Sequence, residues 1–65
     1  MLTYLETISY GVPLYYAGNT QHIIRLEPQK HGAFAFISRE AAGCVAKKLA
    51  HQCHRDDFSV VEKHG

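Results

Sequence analysis

Cys44, His51, Cys53 and His54 are the side chains whose types could do chemistry together. Thiolate and imidazole can ligate zinc, and a thiol can act as a nucleophile beside an imidazole base. The spacing opposes both uses. Structural zinc sites typically pair ligands about two to four residues apart in each of two knuckles. Here the four residues fall in or just after one segment of helical pattern, which sets Cys44 and His51 about 10 Å apart by rise alone and turns Cys53 to the other side. That separation exceeds the hydrogen-bond reach of a nucleophile–base pair. Lys47 and Lys48 flank Cys44 and would favour its thiolate, yet no oxyanion site or pocket is suggested around it. His22, His31 and His64 could join a metal site only through the fold. Asp56-Asp57 and Glu62 read as solvated turn and strand residues rather than an acid–base pair. The expectation is a protein that is not an enzyme, with no catalytic residue, no metal and no cofactor.

The elements that position these residues follow from composition and pattern. The 65-residue chain is 46% hydrophobic and 20% charged, which suits one folded domain spanning residues 1–65 rather than a disordered tail. A domain of this size buries only about 60% of the surface its unfolded chain exposes. Seven Lys and Arg against six Asp and Glu leave a net charge of +1. That balance offers little of the phosphate neutralisation on which nucleic-acid affinity rests, so direct nucleic-acid binding is not expected. A signal peptide is not expected, since Met1 is followed by neither a basic start nor an apolar run, and no segment has the ~20 apolar residues of a membrane span. Cys44 and Cys53, about 13 Å apart along a helix, lie beyond disulfide reach. Free thiols suit a reducing cytoplasm, which is the expected location.

Residues 2–10 are rich in Leu, Tyr, Ile and Thr and read as a strand. Gly11 and Val12-Pro13 turn the chain into a second strand over 14–17, and Gly18-Asn19-Thr20 makes the next turn. A third strand over 22–27 ends at Pro28. Residues 33–37 read as a fourth strand, with Phe34 and Phe36 on one face. Ser38 caps a helix over 39–53 with Glu40 in its first turn. Ala42, Val45, Ala46, Leu49 and Cys53 form its apolar stripe, and Glu40, Cys44, Lys47, Lys48 and His51 lie opposite. A last strand covers 58–63. The expected fold is α+β: a two-layer sandwich of a four- or five-stranded, mainly antiparallel sheet with one helix on one face. Its core would hold the helix stripe with Phe34 or Phe36, Phe58 and Val60.

One helix covers one sheet face, so the other is solvated or meets a partner. Four tyrosines, Tyr4, Tyr10, Tyr15 and Tyr16, fall in the first hairpin, and Tyr is enriched at protein interfaces. On the helix, Gly43-Cys44 is a small step where an exposed face would ordinarily carry Glu, Lys or Gln. The candidate partner-binding residues are therefore Cys44, Lys47, Lys48 and His51 on the helix, with Tyr15 and Tyr16 on the hairpin. A small nucleic-acid-binding or regulatory module using the tyrosine-bearing sheet face is the alternative reading. An accessory subunit whose partner completes its core is a third.

The stretch Ala33-Phe34-Ala35-Phe36-Ile37-Ser38-Arg39-Glu40-Ala41-Ala42 resembles a pattern in small proteins of phages and mobile elements. In those a strand runs through Phe and Ser or Thr into a Glu-Ala-rich helix start. Tyr4-Leu5-Glu6-Thr7, Leu14-Tyr15-Tyr16-Ala17-Gly18 and Phe58-Ser59-Val60-Val61-Glu62 are similar to the flanks of that pattern. The likeness covers most of the chain and rests on structural motifs. Ala42-Gly43-Cys44 departs from it, standing where charged residues would be expected. Some such proteins are anti-CRISPR proteins or other inhibitors of host defence. The resemblance implies a non-enzymatic inhibitor in the bacterial host cytoplasm. Its partner would be a larger host protein or ribonucleoprotein complex, with a homodimer as a further form, and it carries no catalytic residue across.

Overall fold

A computed structural model of the protein describes residues 2–20 and 23–64. Four strands, β1 (Leu2–Ser9), β2 (Val12–Thr20), β3 (Ile23–Glu27) and β4 (Ser59–Lys63), form one antiparallel sheet in the order β3-β2-β1-β4. A single helix, α1 (Arg39–Gln52), carries the chain from one sheet edge to the other. The α+β architecture expected from sequence is the observed one, with four strands.

β1 and β2 form a hairpin closed by Tyr10-Gly11, with Ser9 opposite Val12. Both turn residues have positive φ, 51° at Tyr10 and 79° at Gly11, as a type I′ turn requires. Further along β2 the pairing with β3 shifts between Tyr16 and Asn19, and Gly18 takes φ 114° there, a value that only Gly adopts freely. The turn expected at 18–20 is thus a bulge inside β2, because one glycine can absorb a register shift without ending a strand. The expected start of the third strand at His22 lies outside the described residues.

Residues 33–37 correct the expected strand. A 3₁₀ turn (Lys30–Gly32) precedes an extended segment joined to β1 only by the bridge Thr3↔Phe36. The Phe34 N–H donates to the Tyr16 carbonyl at 2.9 Å and the Phe36 N–H to the Thr3 carbonyl at 2.8 Å. The segment ties β1 to β2 where their ladder has ended, and has no partner row long enough to be a strand.

Ser38 caps α1 through a bond that its Oγ accepts from the Ala41 N–H at 3.1 Å, and Glu40 sits in the first turn. Leu5, Tyr16, Phe36, Ala42 and Leu49 form the core, with Ile24, Val45, Ala46, Cys53, Phe58 and Val60 packed around it. Fully burying a side chain such as Leu5 or Leu49 stabilises the fold by roughly 1.5–3 kcal/mol. Small Ala42 and Ala46 let the helix lie close to the sheet. Of the two phenylalanines, Phe36 is buried and Phe34 half exposed, their rings 4.8 Å apart.

Side chains alternate across a strand, so Tyr4 and Tyr15 point away from the helix that Leu5 and Tyr16 face. They are nonetheless only 3% and 7% exposed. Their rings meet edge to face at 6.0 Å. Lys63 lies over the Tyr15 ring at 5.9 Å and 3.9 Å from Glu6. Lys30, three residues beyond β3, donates from Nζ to the carbonyl of His64, just past β4. That bond links the segments that follow the two edge strands.

Candidate functional site

Two surfaces are candidates for function. The first is the outer face of α1. Cys44, Lys47, Lys48 and His51 are all exposed along it, at positions that recur every three to four residues and so share one face. Neither lysine has an ion-pair partner among the described residues. Gly43 sits beside Cys44 inside the helix, and a Cβ placed on it would meet nothing within 4 Å. No close intramolecular approach therefore requires a glycine there, although glycine weakens a helix interior by about 1 kcal/mol relative to alanine.

The structure brings the four helix candidates together and separates them from the two tyrosines. Tyr15 and Tyr16 are buried on opposite faces of β2, Tyr15 against Tyr4 and Tyr16 against Phe36. The Tyr16 hydroxyl donates to Asn19 Oδ1 at 2.6 Å. Burial, with a smaller contribution from Cys53, raises the Tyr16 phenol above its usual pKa. Their rings offer no shared platform on which a base could stack.

The second surface lies where α1 ends, and sequence reasoning missed it. His54 adopts φ 54° and turns the chain, so that the N–H groups of Cys53 and Arg55 both donate to the Leu49 carbonyl, at 2.9 and 3.3 Å. Arg55 then grips Asp57 with two bonds, Nε to Oδ1 at 2.9 Å and Nη2 to Oδ2 at 3.0 Å. The buried Thr7 hydroxyl donates to Asp57 Oδ2 at 2.5 Å. The bonds from Arg55 and then Thr7 hold the Asp57 carboxyl well below the usual carboxylate range. The guanidinium of Arg55 also lies over the Phe58 ring at 5.4 Å. Beside this network opens an apolar-floored groove of about 200 Å³, lined by Ala46, Lys47, Ala50, Arg55, Asp56 and Phe58. Nothing local in the sequence could have announced it, because Thr7 and Asp57 stand 50 residues apart.

Among the described residues no three of His, Cys, Asp and Glu converge as metal ligands. Cys44 and Cys53 are free thiols, the first exposed and the second partly covered. Among the described residues, no helix is long and apolar enough to cross a membrane. Comparison with protein families, with curated proteins and with solved structures finds no match.

Proposed function

We propose that the protein is a small non-enzymatic interaction module that docks on a larger partner through the outer face of α1. The observation that carries this reading is the Gly43-Cys44 step. A helix interior keeps a destabilising glycine that its own fold does not need, next to a small exposed thiol and near two lysines that form no ion pair among the described residues. Such a face admits a neighbouring helix or strand closely, while Lys47 and Lys48 meet acidic groups at its rim. The setting we propose is the cytoplasm of a bacterial host. There a phage or mobile element would supply the protein as an inhibitor of a host defence complex, and anti-CRISPR activity is its most concrete form.

Capture from a bacterial lysate, run in parallel with wild type and Cys44→Arg, tests the docking face. An exposed helical Arg is well tolerated, so the melting temperature should hold while the retained complex disappears. Retention of the same complex by a stable Cys44→Arg protein would place the contact elsewhere. For the inhibitor role, expressing the protein in a CRISPR-immune host should restore plating of a targeted phage, and unchanged immunity would remove that form of the reading.

A further inference from the structure

We infer that the β1–β2 hairpin tip is an arm that docks in the Phe58 groove of a second copy of this chain, each copy giving an arm and receiving one. The register isolates the arm. β4 ends its pairing at Glu6↔Ser59 and β3 ends at Tyr15↔Glu27, so residues 7–14 continue as a two-stranded ribbon with no strand on either side. A lone two-stranded hairpin is marginally stable in water. This one nevertheless carries Ile8 and Val12 more than half exposed and Tyr10 fully exposed at its tip.

Tyr10 is the informative residue. Its φ of 51° belongs to the left-handed region, which Asn or Gly enters with little strain and a bulky residue does not. A large aromatic held there in full exposure is not packed against any of the described residues. Thr7-Ile8-Ser9-Tyr10-Gly11-Val12-Pro13-Leu14 contains no charged side chain, so the arm brings no cation for phosphate contacts. It suits an apolar receptor with a polar rim.

The groove is such a receptor. Ala46, Ala50 and Phe58 supply apolar surface, and Lys47, Arg55 and Asp56 supply groups within which a phenol could hydrogen-bond. Its wall is fixed by the Arg55–Asp57 pair. Groove and arm share one end of the molecule. Phe58 precedes Ser59, the partner of Glu6, and Asp57 accepts the hydroxyl of Thr7 at the arm's base. Full exposure of Tyr10 shows that the arm does not fill its own groove. Two complementary features at the same end are what a two-fold axis can bring together, arm to groove and groove to arm. Eight-residue arms make a small contact, so the dimer should be weak and concentration-dependent.

Sedimentation velocity from about 10 µM to about 1 mM spans the range in which such weak interfaces populate. Wild type should pass from monomer to dimer across it. Tyr10→Asn should weaken self-association about tenfold or more while melting no lower than wild type, because Asn suits the turn. Ala50→Glu, which sets a carboxylate in the groove, should do the same. Mixing the two variants should recover a heterodimer of intermediate affinity, since one intact arm then faces one intact groove. A wild type that stays monomeric throughout overturns the inference. So does undiminished dimerisation of either variant, or a mixture that fails to pair.

Discussion

Replacing Gly43 with Ala separates what the fold needs from what a contact needs. Gly43 lies inside α1, between buried Ala42 and exposed Cys44. Beyond its chain neighbours and the backbone of its own helix, the methyl group that alanine adds would meet nothing within 4 Å, so no overpacking opposes the gain in helix propensity. That gain is about 0.5–1 kcal/mol. In a domain of this size a change of 1 kcal/mol moves the melting temperature by roughly 4–8 °C, so Gly43→Ala should raise it by about 2–8 °C. Thermal unfolding followed by circular dichroism at dilute concentration measures this, with parallel urea titration to check that the m-value is unchanged. If the glycine serves a close-approaching partner, the stabilised variant should bind that partner less well than wild type. If it is there by drift, stability rises and binding holds. A melting temperature that stays level or falls would refute the reasoning at its root, because the space beside Gly43 would not be open.

Two further predictions concern the core and the exit loop. Leu49, 1% exposed in the core, should cost about 2–5 kcal/mol when cut to Ala, whereas exposed Lys48→Ala should be nearly neutral; equal effects on the melting temperature would refute the helix orientation. Asp57 has a depressed carboxyl pKa, so it stabilises the fold at pH values above its unfolded value near 4 and loses that contribution as the pH falls below it. The stability advantage of wild type over Asp57→Asn, from urea midpoints, should therefore be present at neutral pH and shrink on acidification below about pH 4. An advantage that does not change with pH would assign it to something other than the ionised Arg55–Asp57–Thr7 network.

The helix was legible because each of its signals is local. Ser38 caps, Glu40 complements the first turn, and Ala42, Val45, Ala46, Leu49 and Cys53 recur at helical spacing. All five apolar positions face the core cluster, and the five opposite positions are exposed. The strands were legible in kind and less so in extent. Gly18 carries a turn signal that the structure spends on a bulge, and choosing between the two depends on the hydrogen-bonded neighbour. Phe34 to Ile37 has the composition of a strand but lies where β1 and β2 offer only single carbonyls, so tertiary placement overrides propensity there. Of the candidate surface, the helix residues could be read because amphipathicity predicts exposure. The Arg55–Asp57–Thr7 network could not, since it exists only after β4 is laid beside β1.

The burial of Tyr4 and Tyr15 bears on which role the sheet can take. An accessory subunit whose core awaits a partner would leave apolar side chains bare on the face away from its helix. Instead Tyr4 and Tyr15 pack on each other, Lys63 lies over Tyr15, and Glu6 stands near the lysine ammonium. That face is closed by its own aromatic and charged side chains. Exposed large apolar groups sit instead at the ends of the sheet and near it: Ile8, Tyr10 and Val12 at the hairpin tip, and Leu2, Ile23, Phe34 and Ile37 toward the other end. A partner of the kind proposed would therefore meet the outer face of α1 or the hairpin tip rather than a flat sheet. For the same reason, replacing Tyr15 should act first on stability, and only a contact at α1 or at the arm can be removed while the fold stays intact.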